Sequence, residues 1–438
     1  MPLNTFVYLF INKTCEFNNK LLFYVIFYYN IYQKTGYPYI LLSLYIRYYR
    51  KRMKHILIFN DTLQYGGTET MLINVLKYLS KKEYKLTLLL PYPSSADILL
   101  NEVPDNIYIK YIYKEKPIGK KKILFENLAS FFPRIHNRMI NLNLNQYDLI
   151  ISFKDSIYSI LFSKSKVRKI LWIHNLPTKY KYGINNIREY IPVKLLQKRI
   201  SRLINSYLKF DDVIFVSNIS KQRYIDIFNN GKQPKQNLIV LHNAIEKNKI
   251  AKLANENIEI DNNEYPLFIM VTRFSVEKRV DRVIKAAARL KAEGYKLHII
   301  ILGDGTLKSQ IDELIKDYSL QESISLLGYV SNPYPYIKKS DWLVSSSEKE
   351  SFSLVILESM FLGTPVITTD CGGPTEITEN GKYALLTPNS TDGIYSAMKQ
   401  VLDFPQTSDL FTSKTDDYLK KFDYDNWLKS VKKIIEKA

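Results

Sequence analysis

From Lys54 onward the chain is built of short runs that are apolar throughout, separated by longer stretches in which apolar and polar residues mix at helical spacing. The runs are HILIF (55–59), KLTLLL (85–90), NIYIKYI (106–112), DLIISF (148–153), KILWIH (169–174), DVIFVS (212–217) and NLIVLHN (237–243). A polar segment, EKNKIAKLANENIEIDNNE (246–264), interrupts the pattern, which restarts with LFIMVTRF (267–274), KLHIIILGDG (296–305), ISLLGYV (324–330), DWLVSSS (341–347) and TPVITTD (364–370). Strands without alternation suit a parallel sheet covered on both faces. Helices are expected over GGTETMLINVLKYLS (66–80), after a glycine turn, over VDRVIKAAARLKAEG (280–294), ending at Gly294, from near Ser353, and over the last residues, 416–438.

The pattern predicts an α/β protein of two successive doubly wound domains. Their expected bounds are 53–247 and 265–415, joined by a linker at 248–264 and followed by the C-terminal helix 416–438. A length of 438 residues agrees with two cores rather than one. The halves share a pattern but no internal sequence repeat.

The first 52 residues stand apart. LLFYVIFYYNIYQKTGYPYILLSLYIRYYRKRMK is apolar and aromatic, but Lys34, Gly36 and Pro38 break it, and neither part reaches the ~20 apolar residues of a spanning helix. It carries no signal-peptide cleavage pattern. Three readings stay open, one of them a poor transmembrane segment. Otherwise the segment is a membrane-associating one whose Arg47, Arg50, Lys51, Arg52 and Lys54 face anionic lipid, or Met53 is the natural start and the upstream start is misassigned.

Composition sharpens the picture in two ways. The apolar share of 46% and charged share of 24% are those of a globular protein. The two cysteines, Cys15 and Cys371, exclude a disulfide framework and suit a reducing compartment, while five histidines without a Cys/His cluster speak against structural zinc. The net charge of +19 is concentrated in the first half: residues 1–54 hold eight basic residues against one acidic, 110–122 six against one, and 164–209 twelve against one. Such a field suits an anionic partner, whether a membrane surface, a phosphorylated substrate or nucleic acid. IPVKLLQKRISRLINSYLKF (191–210) reads as amphipathic, with Leu196, Ile200, Leu203, Ile204 and Tyr207 in one stripe and Lys194, Lys198 and Arg202 in another. It is either an ordinary domain helix or a docking face for anionic lipid.

Candidate chemistry gathers at the ends of the predicted strands. Gly66-Gly67 opens the first helix, where free N–H groups favour anions, although the spacing is not that of a dinucleotide fingerprint. Arg273 and Lys278 follow a strand of the second domain and suit a diphosphate clamp; the plainer reading is a solvated loop. Gly303-Asp304-Gly305 ends the next strand; Asp304 reads as a turn residue, and Gly303 and Gly305 as positions that line a site by lacking side chains. His174 ends a strand of the first domain, either a structural histidine or one facing the interdomain cleft. SSSEKESFSLVILESMFLGTPVI (345–367) places Glu350 in a loop and Glu358 inside a helix whose N-terminus, near Phe352, Ser353 and Leu354, offers free N–H groups to phosphate.

Together these motifs resemble the retaining glycosyltransferases of GT-B fold known as family 4, also called glycosyl transferases group 1. The resemblance covers about residues 53–438 and is strongest over 265–385. Its most specific part is the Glu-x7-Glu pair, Glu350 and Glu358, supported by GGTE, LHNAIE, LLGYV, GTPVI and GGPTEI in the expected order. One departure is Ser351, where the family often has glycine, and the 1–52 extension lies outside the family pattern.

The resemblance implies two Rossmann-like domains facing across a cleft, the first binding acceptor and the second nucleotide-sugar. Arg273 and Lys278 would bind the donor diphosphate, with backbone N–H groups around Phe352, Ser353 and Leu354. Glu358 would bind ribose and Glu350 the donor sugar. His174 would sit at the reaction centre, with Gly66, Gly67 and Gly303 also at the donor. No cofactor and no metal are expected, because Arg and Lys supply the cation for the leaving diphosphate. The expected reaction is front-side transfer with retention to a glycan or lipid-linked acceptor in cell-surface polysaccharide biosynthesis, lipopolysaccharide or capsule. Domain closure would carry His174 to the donor about a hinge in the linker.

The expected location is cytoplasmic, peripheral on the inner face of the membrane. Three rivals are a nucleic-acid-binding protein, for which no reader motif is present, a sugar-nucleotide enzyme such as an epimerase, and a non-catalytic partner subunit. No motif encodes the donor base, the sugar or the acceptor.

Overall fold

The apolar runs form two parallel sheets in the computed structural model, which describes residues 53–64, 66–175, 193–228, 231–260, 265–412 and 415–437. The expectations for residues 1–52 lie outside the described residues. Residues His55–Ala438 make one compact unit.

The first sheet holds β1 (Lys54–Phe59), β2 (Tyr84–Leu90), β3 (Tyr108–Tyr111), β4 (Leu149–Ser152), β5 (Lys169–Ile173), β6 (Asp212–Phe215) and β7 (Asn237–Val240) in the order β3-β2-β1-β4-β5-β6-β7. The second holds β8 (Leu267–Val271), β9 (His298–Leu302), β10 (Ile324–Gly328), β11 (Trp342–Ser345), β12 (Val366–Thr369) and β13 (Leu385–Thr387) in the order β10-β9-β8-β11-β12-β13. Pairing is parallel across both sheets' centres and out to β3, β7, β10 and β13, so these connections must cross over, and helices fill the crossovers. Both sheets reverse strand order once, between β1 and β4 and between β8 and β11. Open α/β sheets bind ligands beyond the carboxyl ends of strands at such a reversal.

Burial explains the runs. Ile56, Leu57, Ile58 and Phe59 of β1 are fully buried, as are Phe268 and Ile269 of β8. Neighbouring residues on one strand point to opposite faces and enter different core layers: Ile56 and Ile58 join one cluster, Leu57 and Phe59 another.

Three features differ from the sequence expectation. The edge strand β13 is three residues long, too short for a period to register. The polar segment expected as a linker begins with a helix, Lys247–Leu253, whose Ile250 is buried. The last residues also do more than finish the second domain. The helix Tyr424–Glu436 crosses back to the first sheet, where Trp427 packs 6.0 Å from Trp172. There the Arg168 guanidinium donates to the carbonyls of Ile434 and Lys437, and Tyr84 donates to Glu436 at 2.7 Å. In the amphipathic helix Val193–Tyr207, Leu203 and Tyr207 are buried in the core while Lys198 and Arg202 are exposed. Arg199, on neither stripe, is buried and paired with Glu126 at 2.8 Å.

Candidate active site

The loops after β1, β5, β8, β9 and β11, with the helices that follow β1 and β11, carry the candidate residues. Parallel pairing puts every strand's carboxyl end at the same edge of its sheet. The two edges meet: a Cβ added to Gly67 at the start of the helix Gly67–Leu79 would lie 3.2 Å from Leu354 Cδ1, in the other sheet's domain. A Cβ on Gly66 would crowd Glu69 Oε2 and lie 3.2 Å from Arg273 Nη2. Gly66, Gly67, Arg273 and Leu354 therefore converge, and the Arg273 side chain is exposed there.

Lys278, in a short turn (Val276–Lys278) after β8, forms an ion pair with Glu350 after β11. Both side chains are part-buried, which strengthens the pair relative to an exposed one. Glu350 is also fixed by its backbone: its N–H donates to Cys371 O at 3.2 Å and its carbonyl accepts from Gly373 N at 2.8 Å. Gly373 belongs there because a Cβ would strike Ser351 and Phe352 backbone atoms.

The loop then enters the helix Leu354–Phe361 through Ser353, whose φ of 147° is unusual for a residue with a side chain. Non-glycine residues hold such conformations only where their surroundings over-determine them. No side chain caps this N-terminus, so its first N–H groups have no side-chain partner. Glu358 lies one turn inside the helix. Burial raises its carboxyl pKa to about 7, against an opposing hydrogen bond from the Tyr334 hydroxyl.

Gly303 after β9 has φ of 148°, and a Cβ would run into the Thr272 carbonyl oxygen. Glycine at 303 is thus required by the approach of the β8 and β9 loops, where Phe274 N also donates to Asp304 O at 2.9 Å.

His174 follows β5 and is 6% exposed. Its ring stacks at 5.5 Å on Trp172 and lies 4.8 Å from Phe153. Both ring nitrogens are buried without a well-formed hydrogen bond. Burial pulls its pKa down to about 3; the Lys154 ammonium adds to this and a Phe153 backbone group opposes it. The imidazole is therefore neutral at physiological pH.

Several residues at the site escaped the sequence reading. Ser351, noted above as a departure, donates from Oγ to the His174 carbonyl at 2.5 Å, a bond glycine cannot make. Lys154 bridges Asp61 (2.9 Å) and Glu69 (2.8 Å) beneath the Gly66 turn. Burial would lower the Lys154 pKa, but the two carboxylates more than offset that and raise it. Glu376 and His242, inside the quoted GGPTEI and LHNAIE stretches, are hydrogen-bonded at 2.7 Å. Glu69, Glu376 and His242 were visible as motif members; Lys154 had no sequence signal.

Comparison with known proteins agrees with this fold. Residues 251–416 match the family model described as Glycosyl transferases group 1. An uncharacterised glycosyltransferase of Methanocaldococcus jannaschii is 29% identical over 319 residues, 65% of this chain and 75% of its own. The N-acetylgalactosamine-N,N'-diacetylbacillosaminyl-diphospho-undecaprenol 4-alpha-N-acetylgalactosaminyltransferase of Campylobacter jejuni is 26% identical over 376 residues, covering 85% of this chain and 96% of its own. The crystal structure of Anabaena HepE with UDP and glucose shares the fold at a TM-score of 0.66 and 18% identity, over 88% of this chain and 100% of that one. Two facing parallel sheets with the site between them are the GT-B fold, and the chain is a glycosyltransferase whose residues 251–416 match group 1.

Proposed function

We propose that this glycosyltransferase moves a sugar from a nucleotide-diphosphate-sugar to a glycan or lipid-linked acceptor of cell-surface polysaccharide, with retention of configuration. The observation that carries the reading is the convergence of Arg273, the Lys278–Glu350 pair and the free N-terminus of the Leu354–Phe361 helix opposite Gly66-Gly67. Two cations and open N–H groups in one cleft suit a diphosphate. The activities of the Campylobacter relative and of a Rhizobium meliloti lipopolysaccharide core biosynthesis glycosyltransferase, 28% identical over 138 residues, support the acceptor class.

The chemistry follows from the groups present. Lys278 exchanges Glu350 for the donor diphosphate, which lies across the helix N-terminus and beside Arg273. Glu350, released, takes hydroxyls of the sugar, and Glu358 accepts from the ribose. The acceptor hydroxyl attacks the anomeric carbon on the face from which the diphosphate departs. Its proton passes to the departing phosphate oxygen, so no strong base is required. Arg273 and Lys278 counter the charge growing on the leaving diphosphate, the role a metal would otherwise fill. Neutral His174 offers a hydrogen bond at the reaction centre without adding charge. The exposed Lys198 and Arg202 support a peripheral position on an anionic membrane at its cytoplasmic face.

A panel of UDP-, GDP- and ADP-sugars in a thermal-shift assay tests the proposal, followed by NMR of the product's anomeric proton. One nucleotide class should raise the Tm and support transfer with retained configuration. Protection by no donor, or an inverted product, refutes it.

A further inference from the structure

One carboxylate of the second domain reaches into the first. Glu376, on the short helix Gly373–Ile377 after β12, accepts from Asn218 N (2.9 Å), Asn218 Nδ2 (2.8 Å), Ile219 N (3.1 Å) and His242 Nε2 (2.7 Å). Asn218 and Ile219 open the helix Asn218–Phe228 of the first domain, and His242 follows β7. The next helical N–H, that of Ser220, goes to Ser217 Oγ. The first N–H groups of this helix are thus served from the opposite domain, where the positive end of the helix favours an anion. Burial alone would raise the Glu376 pKa, but the bonds from His242, Asn218 and Ile219 hold it at about 2.

Two routes lead from this carboxylate to the donor loop. Its helix begins at Gly373, whose N–H holds the Glu350 carbonyl at 2.8 Å. His242, held by Glu376, stacks at 5.8 Å on Phe352, between Glu350 and the strained Ser353. Phe352 is 3% exposed, so it cannot leave His242 without moving the loop.

We propose that Glu376 is a positioning residue: it clasps the two domains together and, through His242 and Gly373, sets the 350–353 loop in donor-binding form only when they meet. Its functional half rests on the donor-site reading above; the clasp itself does not. Donor binding then draws on a closed population that the clasp maintains. Losing the clasp weakens apparent donor affinity by the inverse of the fraction of molecules that stay closed. Glutamine at 376 would set an amide NH2 against a backbone N–H, so one bond of the set turns repulsive.

The test uses the full chain with Cys15→Ser, spin-labelled at Glu83→Cys and Asp317→Cys, exposed positions of the two domains. Electron–electron double resonance reads the interdomain distance without any donor. Glu376→Gln should broaden the distribution toward longer distances and raise KM for the donor on the order of tenfold or more, with kcat at saturating donor within about twofold. Asn218→Pro perturbs the other side: it removes the backbone and side-chain donors together at the first helical position, where proline's φ is compatible. It should reproduce the shift, and the two variants combined should add little further. Unchanged distributions in both variants overturn the clasp. A shifted distribution with unchanged donor KM overturns its coupling to the loop. A purely structural residue would lower the Tm and leave both readouts in place. If no nucleotide-sugar is turned over, the distance measurement still decides the clasp, and the donor reading fails separately.

Discussion

Glu358 should make donor binding depend on pH in a window that few other groups share. Its carboxyl is displaced from 4.5 to about 7 by burial, so near pH 7 about half the free protein carries it protonated. Both hydroxyls of a ribose diol can donate to a carboxylate, whereas the acid accepts well only at its carbonyl oxygen and carries no charge, so the donor selects the ionised form. With a pKa of about 7, the ionised fraction is about one in eleven at pH 6 and about ten in eleven at pH 8. Donor affinity should therefore rise about tenfold from pH 6 to pH 8 and flatten above. Calorimetry with the nucleotide-sugar selected by the panel measures this directly, since its diphosphate is fully ionised throughout. Buffers of different ionisation enthalpy should reveal release of about half a proton at pH 7. Glu358→Gln should abolish both effects and weaken binding about 10- to 100-fold at pH 8, the loss of a charged acceptor.

Stability supplies an independent check on Glu358. The folded-state pKa lies above the unfolded one, so its contribution is full below about 4.5 and is lost as pH rises through about 7. Wild type should lose on the order of 1–3 kcal/mol relative to Glu358→Gln across that window. Affinity independent of pH in wild type, or a pH dependence retained in the variant, would falsify the assignment.

Further outcomes are expected from the same site. Arg273→Ala and Lys278→Ala should each lower kcat on the order of 10²–10³-fold, read in initial rates; near-normal turnover removes the residue from leaving-group stabilisation. Glu350→Gln should mainly slow transfer and affect donor binding less than Glu358→Gln, as a split between kcat and KM shows. Gly373→Ala places a Cβ against the Ser351 and Phe352 backbone and should cost about 1–3 kcal/mol in denaturant unfolding. Turnover should survive EDTA, because cationic side chains are proposed to take the metal's place. Binding of residues 53–438 to anionic vesicles should fall steeply with salt, and salt-insensitive or absent binding counts against the membrane-facing helix.

Much of the frame was legible because burial on both faces leaves a local mark. The buried part of a strand such as HILIF, Ile56 to Phe59, must be apolar at every position, and a window of four residues shows it. The candidate loops were legible for a related reason: parallel pairing sends every βα loop to one edge, so Arg273, Lys278, Gly303 and Glu350 could be placed together before any distance was known. β13 was not legible, since its three residues show no period. The Lys247–Leu253 helix was hidden by its polar surface, with Ile250 its one buried anchor.

The sequence by itself determined the strand positions, the α/β class, the two-domain rhythm and the residue types at the strand ends, because each depends on neighbours a few positions away. Only the tertiary structure decided which of those residues touch. Lys278 and Glu350 are 72 residues apart, His174 and Ser351 177, and Glu376 and Asn218 158. The return of the Tyr424–Glu436 helix to the first sheet is of the same kind. Such contacts depend on strand order and on the angle at which two sheets meet. Charge patterns along a chain do not encode those quantities; burial and desolvation at the meeting edges select the pairs.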